Sequence, residues 1–282
     1  MTKTIDTLVE DIYKIVDDGI PSIQDVNMHL LLSDIEFAVT RQLTASERQD
    51  KNAVRMSNVG KPDRQLWYEV QGTEGEALTP DTRIKFLFGD IVEALVLFLV
   101  REAGHTVTDT QKEVEINGIK GHIDCIIDDV LVDVKSASPM GFKKFANNTL
   151  AEDDAFGYIG QLSSYKHAMD KKKAAFLAMD KSAGKLALMV LDPMDTDTDP
   201  VGRVEHVKEM VKLDTPPDRC YTDVEDGKSG NMKLPIGCSY CKFKHTCWAD
   251  ANDDAGLRTF FYSNGPRFLT KVEREPDVVE KQ

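Results

Sequence analysis

The chain has 282 residues, of which 41% are hydrophobic and 29% are charged, and its formal net charge is −13. This composition is typical of a folded, water-soluble protein, and the negative charge counts against a protein that coats DNA through charge alone. The polar first ten residues do not resemble a signal peptide, and charged residues interrupt the longest apolar run, residues 86–100. We therefore expect a cytoplasmic protein, from a bacterial or phage-infected cell, with no membrane segment.

The pattern of apolar and turn-forming residues predicts helices and strands in alternation. Residues 1–50 look helical, and a short helix follows a turn near residue 60. The helix predicted at 82–103 is apolar nearly all round, so we expect it to be buried, and Gly104 ends it. The later elements are strands at 113–117, 120–127 and 130–137, a helix at 152–170, strands at 173–180 and 184–191, and a helix near 198–212. From Glu273 the chain is charged, and we expect it to fray. This order predicts an α/β fold with a mixed central sheet flanked by helices.

The sharpest feature is a strand–turn–strand segment, residues 121–136, with two aspartates at its turn. A hairpin symmetric about this turn pairs Asp124 with Asp133 and His122 with Lys135. Because strand side chains alternate, all four are predicted to lie on one face of the sheet. The opposite face is predicted to be core and holds Ile123, Cys125, Ile127, Val130, Val132 and Val134.

The two opposed acids, Asp124 and Asp133, would repel each other and destabilise the sheet. A divalent cation such as Mg²⁺ would compensate, because it takes carboxylate oxygens and substrate phosphates as ligands. Lys135 shares their face and could orient the attacking water or stabilise developing negative charge. The alternative is an exposed hairpin edge with solvated acids. Ile126 and Leu131 on the acid face argue against that alternative, because they indicate a buried pair of strands.

Asp124, followed after a short hairpin by Asp133-Val-Lys135, resembles the motif of the PD-(D/E)XK nucleases. The surrounding motifs resemble the RecB-like exonuclease branch, which includes CRISPR-adaptation nucleases and many phage exonucleases. That branch places a glycine and an acid or histidine on a preceding buried helix, and Gly89-x-x-x-Glu93 matches it. The resemblance implies a restriction-endonuclease-like fold, with Glu93, Asp124 and Asp133 as ligands of Mg²⁺ or Mn²⁺ and Lys135 serving the nucleophile. The alternative for Glu93 is an acid on the helix surface.

Two further motifs carry the resemblance. Gln161-x-x-x-Tyr165 matches a Q-x-x-x-Y motif on the helix after the hairpin, and its i, i+4 spacing puts both side chains on one helix face. The family's N-terminal stretch has an arginine before an aromatic run, as Arg64 is here. The resemblance implies that these three residues contact DNA or support the site. The alternatives are a structural hydrogen-bonded pair for the first two and a surface ion pair for the arginine.

Five cysteines in a reducing compartment indicate a metal or cofactor more than disulfides. Cys238, Cys241 and Cys247 have C-x2-C-x5-C spacing, and their thiolates suit either zinc or an iron–sulfur cluster. The spacing resembles the C-terminal cysteines of the RecB-like iron–sulfur nucleases, which implies a 4Fe–4S cluster. Zinc and free thiols are the alternatives.

The fourth cluster ligand is where this chain departs from the family, which commonly has its first cysteine just before the N-terminal arginine. No cysteine stands there in this chain. Cys220 is the better candidate, since Cys125 belongs to the core, and His245 is an alternative ligand.

These features predict four segments with different roles. They are an N-terminal helical region at 1–54, a nuclease core at 55–215, a cysteine-bearing cluster segment at 216–250 and a C-terminal tail at 251–282. We expect a metal-dependent DNA exonuclease acting on linear or single-stranded ends, with recombination or replication proteins as partners. The alternatives are a structure-specific endonuclease on the same fold and a non-catalytic DNA-binding or assembly module that carries a metal cluster.

Overall fold

The computed structural model describes residues 3–44, 52–191, 199–263 and 265–281, so residues 45–51 of the predicted helical region lie outside the described part. The helices are α1 (Leu8–Asp18), α2 (Asp25–Leu43), α3 (Asp63–Val70), α4 (Pro80–Glu102), α5 (Pro139–Ala146), α6 (Tyr158–Ala168) and α7 (Pro200–Met210). Three short helical turns follow, namely α8 (Ile236–Ser239), α9 (Lys244–Cys247) and α10 (Ala251–Asp254). Short 3-10 turns cover Ile5–Thr7, Met56–Asn58 and Leu150–Glu152.

The strands are β1 (Val107–Thr108), β2 (Glu113–Ile116), β3 (Ile119–His122), β4 (Cys125–Ile127), β5 (Val130–Ala137), β6 (Ala174–Asp180), β7 (Leu186–Val190), β8 (Val224–Glu225), β9 (Met232–Lys233), β10 (Arg258–Tyr262) and β11 (Gly265–Lys271). The strands predicted at 113–117, 130–137, 173–180 and 184–191 correspond to β2, β5, β6 and β7. The helix predicted near 198–212 corresponds to α7.

The chain divides into two compact units. The first comprises residues 1–49, 55–60 and 78–205, and the second comprises residues 50–54, 61–77 and 206–282. The predicted four-segment division concerns function and stays a prediction.

A five-stranded mixed sheet with the order β1-β4-β5-β6-β7 forms the centre of the first unit. The β5–β6 pair is parallel, and the other neighbours are antiparallel. Helices α1 and α4 cover one face, where Leu8, Ile12 and Val96 pack on the sheet. On the other face, Phe145 of α5 contacts Phe176 of β6 edge to face. The predicted fold class, a mixed central sheet flanked by helices, is therefore confirmed.

The predicted hairpin register is correct near the turn, where Cys125 pairs with Val132 and Ile127 with Val130. The predicted apolar face also packs in the core, through Cys125, Ile127, Val130, Val132 and Val134. The single strand predicted at 120–127, however, is divided into β3 and β4.

The predicted strand is divided because the backbone around His122 and Ile123 forms hydrogen bonds with residues 112–113 instead of with β5. His122 pairs with Glu113 in the separate β2–β3 hairpin, and Ile123 N donates to Lys112 O at 3.1 Å. The predicted pairing of His122 with Lys135 is therefore wrong.

Two predicted helices also differ from the structure. The first turns of α4 are not buried, because Ile84, Phe86 and Phe88 are 62%, 47% and 45% exposed. The helix predicted at 152–170 begins only at Tyr158. Its start is set by the carboxylate of Asp154, which accepts hydrogen bonds from the first backbone N–H groups of α6 at 2.9 and 2.8 Å.

The second unit contains α3, α8, α9, α10 and a four-stranded sheet with the order β10-β11-β9-β8, which the sequence analysis did not predict. The segment after Glu273 is not frayed, since Glu280 bridges to Phe260 and its carboxylate pairs with Arg258 at 2.7 Å. Among the described helices of both units, none is long and apolar enough to span a membrane.

Candidate active site

The two hairpin acids lie at the junction that breaks the predicted strand. Asp124 directly precedes β4, and its Oδ2 accepts a hydrogen bond from Val134 N across the hairpin at 2.8 Å. Asp133 lies within β5 and is 3% exposed. Its Oδ2 is 2.5 Å from Lys135 Nζ, although the pair is not aligned as a hydrogen bond. The structure therefore brings the two acids and the lysine together, as the sequence predicts.

Lys135 is held between carboxylates and aromatic rings. Its Nζ lies 4.6 Å from the centroid of the Tyr158 ring and 6.0 Å from that of Phe176, which restricts the ammonium group through cation–π contacts. Burial alone would lower the pKa of Lys135, but the charges of Asp133 and Asp124 outweigh burial and raise the pKa. Lys135 is therefore a fixed cation in the site at any physiological pH.

Glu93 joins this group from α4. Burial, together with the charges of Asp133 and Asp90, raises the pKa of its carboxyl to about 7. Burial also raises the pKa of Asp124 well above its usual range, with Asp133 and Glu93 as additional causes. Because the charge of Asp133 acts on both Glu93 and Asp124, the three carboxylates predicted as metal ligands share one region of the first unit.

Each of these carboxylates has a protein partner in this arrangement. Glu93 Oε1 accepts a hydrogen bond from Gln111 Nε2 at 3.0 Å, while Asp124 faces Val134 N and Asp133 faces Lys135. Within the described ranges, no three His, Cys, Asp or Glu side chains converge as ligands of one metal ion. The donor set nevertheless suits a hard divalent cation, because it consists of carboxylate oxygens with excess negative charge. Asp133 Oδ2 is paired with Lys135 but accepts no aligned hydrogen bond, so a metal ion could share this oxygen with the ammonium group.

Gln161 and Tyr165 lie on one face of α6 behind these acids. Tyr165 is 3% exposed, and burial raises its pKa to about 12, against the lowering effect of its hydrogen bond with Gln161. A Cβ atom at Gly121 would come within 2.9 Å of the Tyr165 hydroxyl, so the ring packs directly on β3. The geometry suits a buttress of the site, and the predicted DNA contact stays a prediction.

Two residues beside the site, Asp90 and Arg41, were not predicted from the sequence. Arg41 Nη2 pairs with Asp90 Oδ1 at 2.6 Å, and Gln42 Nε2 donates to Asp90 Oδ2 at 2.8 Å. Asp90 could have been found, because its i, i+3 spacing places it one turn before Glu93 on α4. Arg41 carries no local signal, since it reaches the site from the distant helix α2.

In the second unit, four cysteines line one cavity. They are Cys220, Cys238, Cys241 and Cys247. Arg64 also lines it, and its guanidinium donates to Pro217 O at 2.6 Å and to the Tyr68 hydroxyl at 3.2 Å. The predicted DNA contact of Arg64 stays a prediction. The cavity combines the three spaced cysteines with the predicted fourth one.

Three of these thiols have raised pKa values, and two of them receive backbone N–H groups. Burial raises the pKa of Cys220, which receives backbone N–H groups from the start of α3. Burial raises the pKa of Cys238 to about 12 and also raises that of Cys241, which receives the Phe243 N–H. Such donors stabilise thiolate ligands when a metal replaces the protons.

The two alternative ligands lie elsewhere. Cys125 packs in the core of the first unit, and its Sγ donates weakly to Val132 O at 3.6 Å. His245 Nε2 lies 3.1 Å from Glu76 Oε1 and is not in the cavity wall.

No protein-family model matches the chain, and no curated protein sequence matches it. Among solved structures, the chain is similar to SSO0001, with 16% identity over 79% of this chain and 96% of that one and a TM-score of 0.40. It is also similar to the alkaline exonuclease LHK-Exo from Laribacter hongkongensis, with 14% identity over 57% and 91% of the chains and a TM-score of 0.40. A phage-related exonuclease from Haemophilus somnus 129PT matches with 13% identity over 57% and 90% and a TM-score of 0.36. Similarity at these TM-scores establishes neither a shared fold nor a function.

Proposed function

We propose that this chain is a deoxyribonuclease that uses Mg²⁺ or Mn²⁺ to hydrolyse the phosphodiester bonds of DNA. The observation that carries the proposal is the shared buried region of Glu93, Asp124 and Asp133, with Lys135 beside them. The raised pKa values of Glu93 and Asp124 mark a candidate functional site, because an uncompensated cluster of buried carboxylates only destabilises the fold.

The residues divide the chemistry among them. A divalent cation held by Glu93, Asp124 and Asp133 would neutralise phosphate charge and activate water. Lys135 stays protonated, so its ammonium group donates to the attacking water or to a phosphate oxygen and stabilises the developing negative charge. The Tyr158 ring keeps that ammonium group in position.

We place the activity at the ends of linear or single-stranded DNA, with recombination, repair or replication proteins as partners. The Gln161-x-x-x-Tyr165 motif supports this exonuclease form, because it resembles the RecB-like branch and lies directly behind the acids.

A cleavage assay tests the proposal, in which purified protein is incubated with end-labelled linear DNA and with closed circular DNA in Mg²⁺ or Mn²⁺. Loss of linear DNA alone is expected. Nicking of circles would indicate an endonuclease, and intact DNA in both reactions would indicate a binding module.

Variants connect any cleavage to this site. Asp133→Asn and Lys135→Met should each lower the rate about 100-fold or more, as removal of a group that stabilises transition-state charge does in other enzymes. Asp129→Asn is the matched control, because Asp129 lies on the same hairpin, is exposed and pairs with Lys171 at the surface. Equal cleavage rates for all three variants would show that Asp133 and Lys135 do not take part in cleavage.

We further propose that the cysteine cavity holds an iron–sulfur cluster of the 4Fe–4S type. Cys220, Cys238, Cys241 and Cys247 provide four thiols around one cavity, with N–H donors directed at Cys220 and Cys241, which fits thiolate ligation. A cluster would supply structural cross-links among α3, the 220 region and α8–α9.

Metal analysis tests the cavity separately from cleavage. Protein purified without oxygen should be brown and contain iron and sulfide, and Cys238→Ser should lose both. Cys125→Ser is the control, since Cys125 lies in the core of the first unit. A colourless protein with bound zinc would favour the zinc alternative, because Zn²⁺ absorbs no visible light. A colourless protein without metal would indicate that the four cysteines are free thiols.

A further inference from the structure

An arginine stands at the edge of the acid site. Arg41 of α2 pairs with Asp90 of α4 at 2.6 Å, and its side chain is 41% exposed. Asp90 precedes Glu93 by three residues, so both lie on one face of α4. A solvent-accessible cation therefore lies about one helical turn from the carboxylate of Glu93.

Two exposed rings flank this arginine. Phe37 is 61% exposed, and the Arg41 guanidinium carbon lies 5.7 Å from its ring centroid. Phe86 is 47% exposed and precedes Asp90 by one turn of α4.

The direction of the helices orders these groups along the site. Gln42 contacts Asp90, whereas Asn27, near the other end of α2, contacts Glu102 at 2.7 Å, so α2 and α4 are antiparallel. One turn backward along α2 therefore corresponds to one turn forward along α4. This places Phe37 level with the turn of Glu93 and Phe86 on the far side of Arg41.

The Phe37 ring, the Arg41 guanidinium and the Phe86 ring lie in a row beside the acid cluster. Groups of these kinds are typical of sites that bind single-stranded nucleic acid. Aromatic rings stack on unpaired bases, and arginine pairs with phosphate through two parallel hydrogen bonds. Charge complementarity and continuity with the candidate active site thus favour a nucleic acid strand.

We infer that Phe37, Arg41 and Phe86 bind the unpaired nucleotides next to the phosphate that is cut. The inference rests on the proposed nuclease function and adds to it the surface that would hold an unpaired DNA end. Bases inside a duplex are stacked on each other and cannot stack on these rings. Blunt duplex DNA should therefore gain little from this surface, whereas a single strand should use all of it.

Binding without cleavage tests the surface. The full chain in EDTA is titrated into a single-stranded oligonucleotide that carries a fluorescent 2-aminopurine, and into a blunt duplex of the same sequence. The double variant Phe37→Ala/Phe86→Ala should weaken single-strand binding about tenfold or more and lose the stacking quench of 2-aminopurine. Duplex binding should change less than about twofold, because stacked bases cannot reach the rings.

Three variants complete the test. Phe37→Trp/Phe86→Trp should restore single-strand binding, because tryptophan also stacks. Leu32→Ala should bind as the wild type does, since Leu32 is 58% exposed on the opposite face of α2. Arg41→Ala should weaken binding and reduce the slope of log affinity against log salt by about one, as expected for one lost phosphate contact.

Two results would overturn the inference. One is unchanged single-strand binding in Phe37→Ala/Phe86→Ala. The other is a wild-type dimer that this variant dissociates, because the rings would then contact a second copy. The proposed function fails separately. If the wild type cleaves no DNA in Mg²⁺ but binds single strands through its rings, the binding surface is supported and the nuclease function is refuted. If the wild type cleaves and the ring variants bind normally, the nuclease function is supported and the binding surface is refuted.

Discussion

Replacement of Glu93 by glutamine should make the metal-free protein more stable at high pH. The carboxyl has its pKa raised from 4.5 to about 7 by burial and by its acidic neighbours. Below pH 4.5 the carboxyl is neutral in both the folded and the unfolded chain and does not lower the free energy of unfolding. Between pH 4.5 and pH 7 the carboxyl ionises in the unfolded chain but keeps its proton in the folded chain, so stability falls as the pH rises. Above pH 7 the destabilisation is complete.

The magnitude follows from the two pKa values. Their difference corresponds to about 3 kcal/mol at pH 8, and the same linkage leaves about 1 kcal/mol at pH 5. Glu93→Gln removes the charge and keeps the shape and the hydrogen bond with Gln111. The variant should therefore gain up to about 3 kcal/mol of unfolding free energy at pH 8 and much less at pH 5.

Urea unfolding in EDTA at both pH values measures this difference, with the exposed Glu10→Gln of α1 as the control. The variant should also gain less stability from added Mg²⁺ than the wild type, because it loses a ligand. If Glu93→Gln is no more stable than the wild type at pH 8, the carboxylate is not held in a repulsive cluster, and the reasoning about the site fails.

The remaining predictions concern the neighbours of the acids. Lys135→Met should cost about 3 kcal/mol or more of stability, because Asp133 is left as a buried charge without a partner, and unchanged urea unfolding would contradict this. Gly121→Ala should lower the unfolding free energy by about 1–3 kcal/mol, since the new Cβ would meet the Tyr165 ring at 2.9 Å, whereas the control Gly141→Ala meets its nearest neighbour only at 3.4 Å. Tyr165→Phe should cost about 1 kcal/mol for the lost hydroxyl hydrogen bond and should reduce cleavage less than Lys135→Met, as single-turnover rates would show.

The hairpin could be predicted from the sequence because its information is local. Alternation fixes which side chains share a face, and the turn between two aspartates fixes the register, so Cys125 and Val132 pair as expected. The break after His122 could not be predicted in this way. It depends on residues 111–113, which take over the backbone hydrogen bonds of His122 and its successors, and no local pattern distinguishes this choice of partner.

The same limit applies to the parts of the site that come from distant elements. Glu93 was found because Gly89-x-x-x-Glu93 resembles a helix motif of the RecB-like nucleases, whereas Arg41 meets Asp90 only after α2 and α4 pack together. In the second unit, the spacing of Cys238 and Cys241 is visible in the sequence. That Cys220 lines the same cavity depends on how the chain returns to α3.

The net charge of −13 and the proposed substrate are compatible only if the acid cluster and its cations work as a pair. Glu93, Asp124 and Asp133 would repel DNA phosphate while they repel one another, so the metal-free chain should bind duplex DNA weakly. A divalent cation reverses both effects at once, because it neutralises the carboxylates and presents positive charge to the phosphate. Lys135 and Arg41 then act at short range, where a local cation matters more than the charge of the whole protein. The repulsion that lowers the stability of the fold is thus the same interaction that gives the site its affinity for a divalent cation.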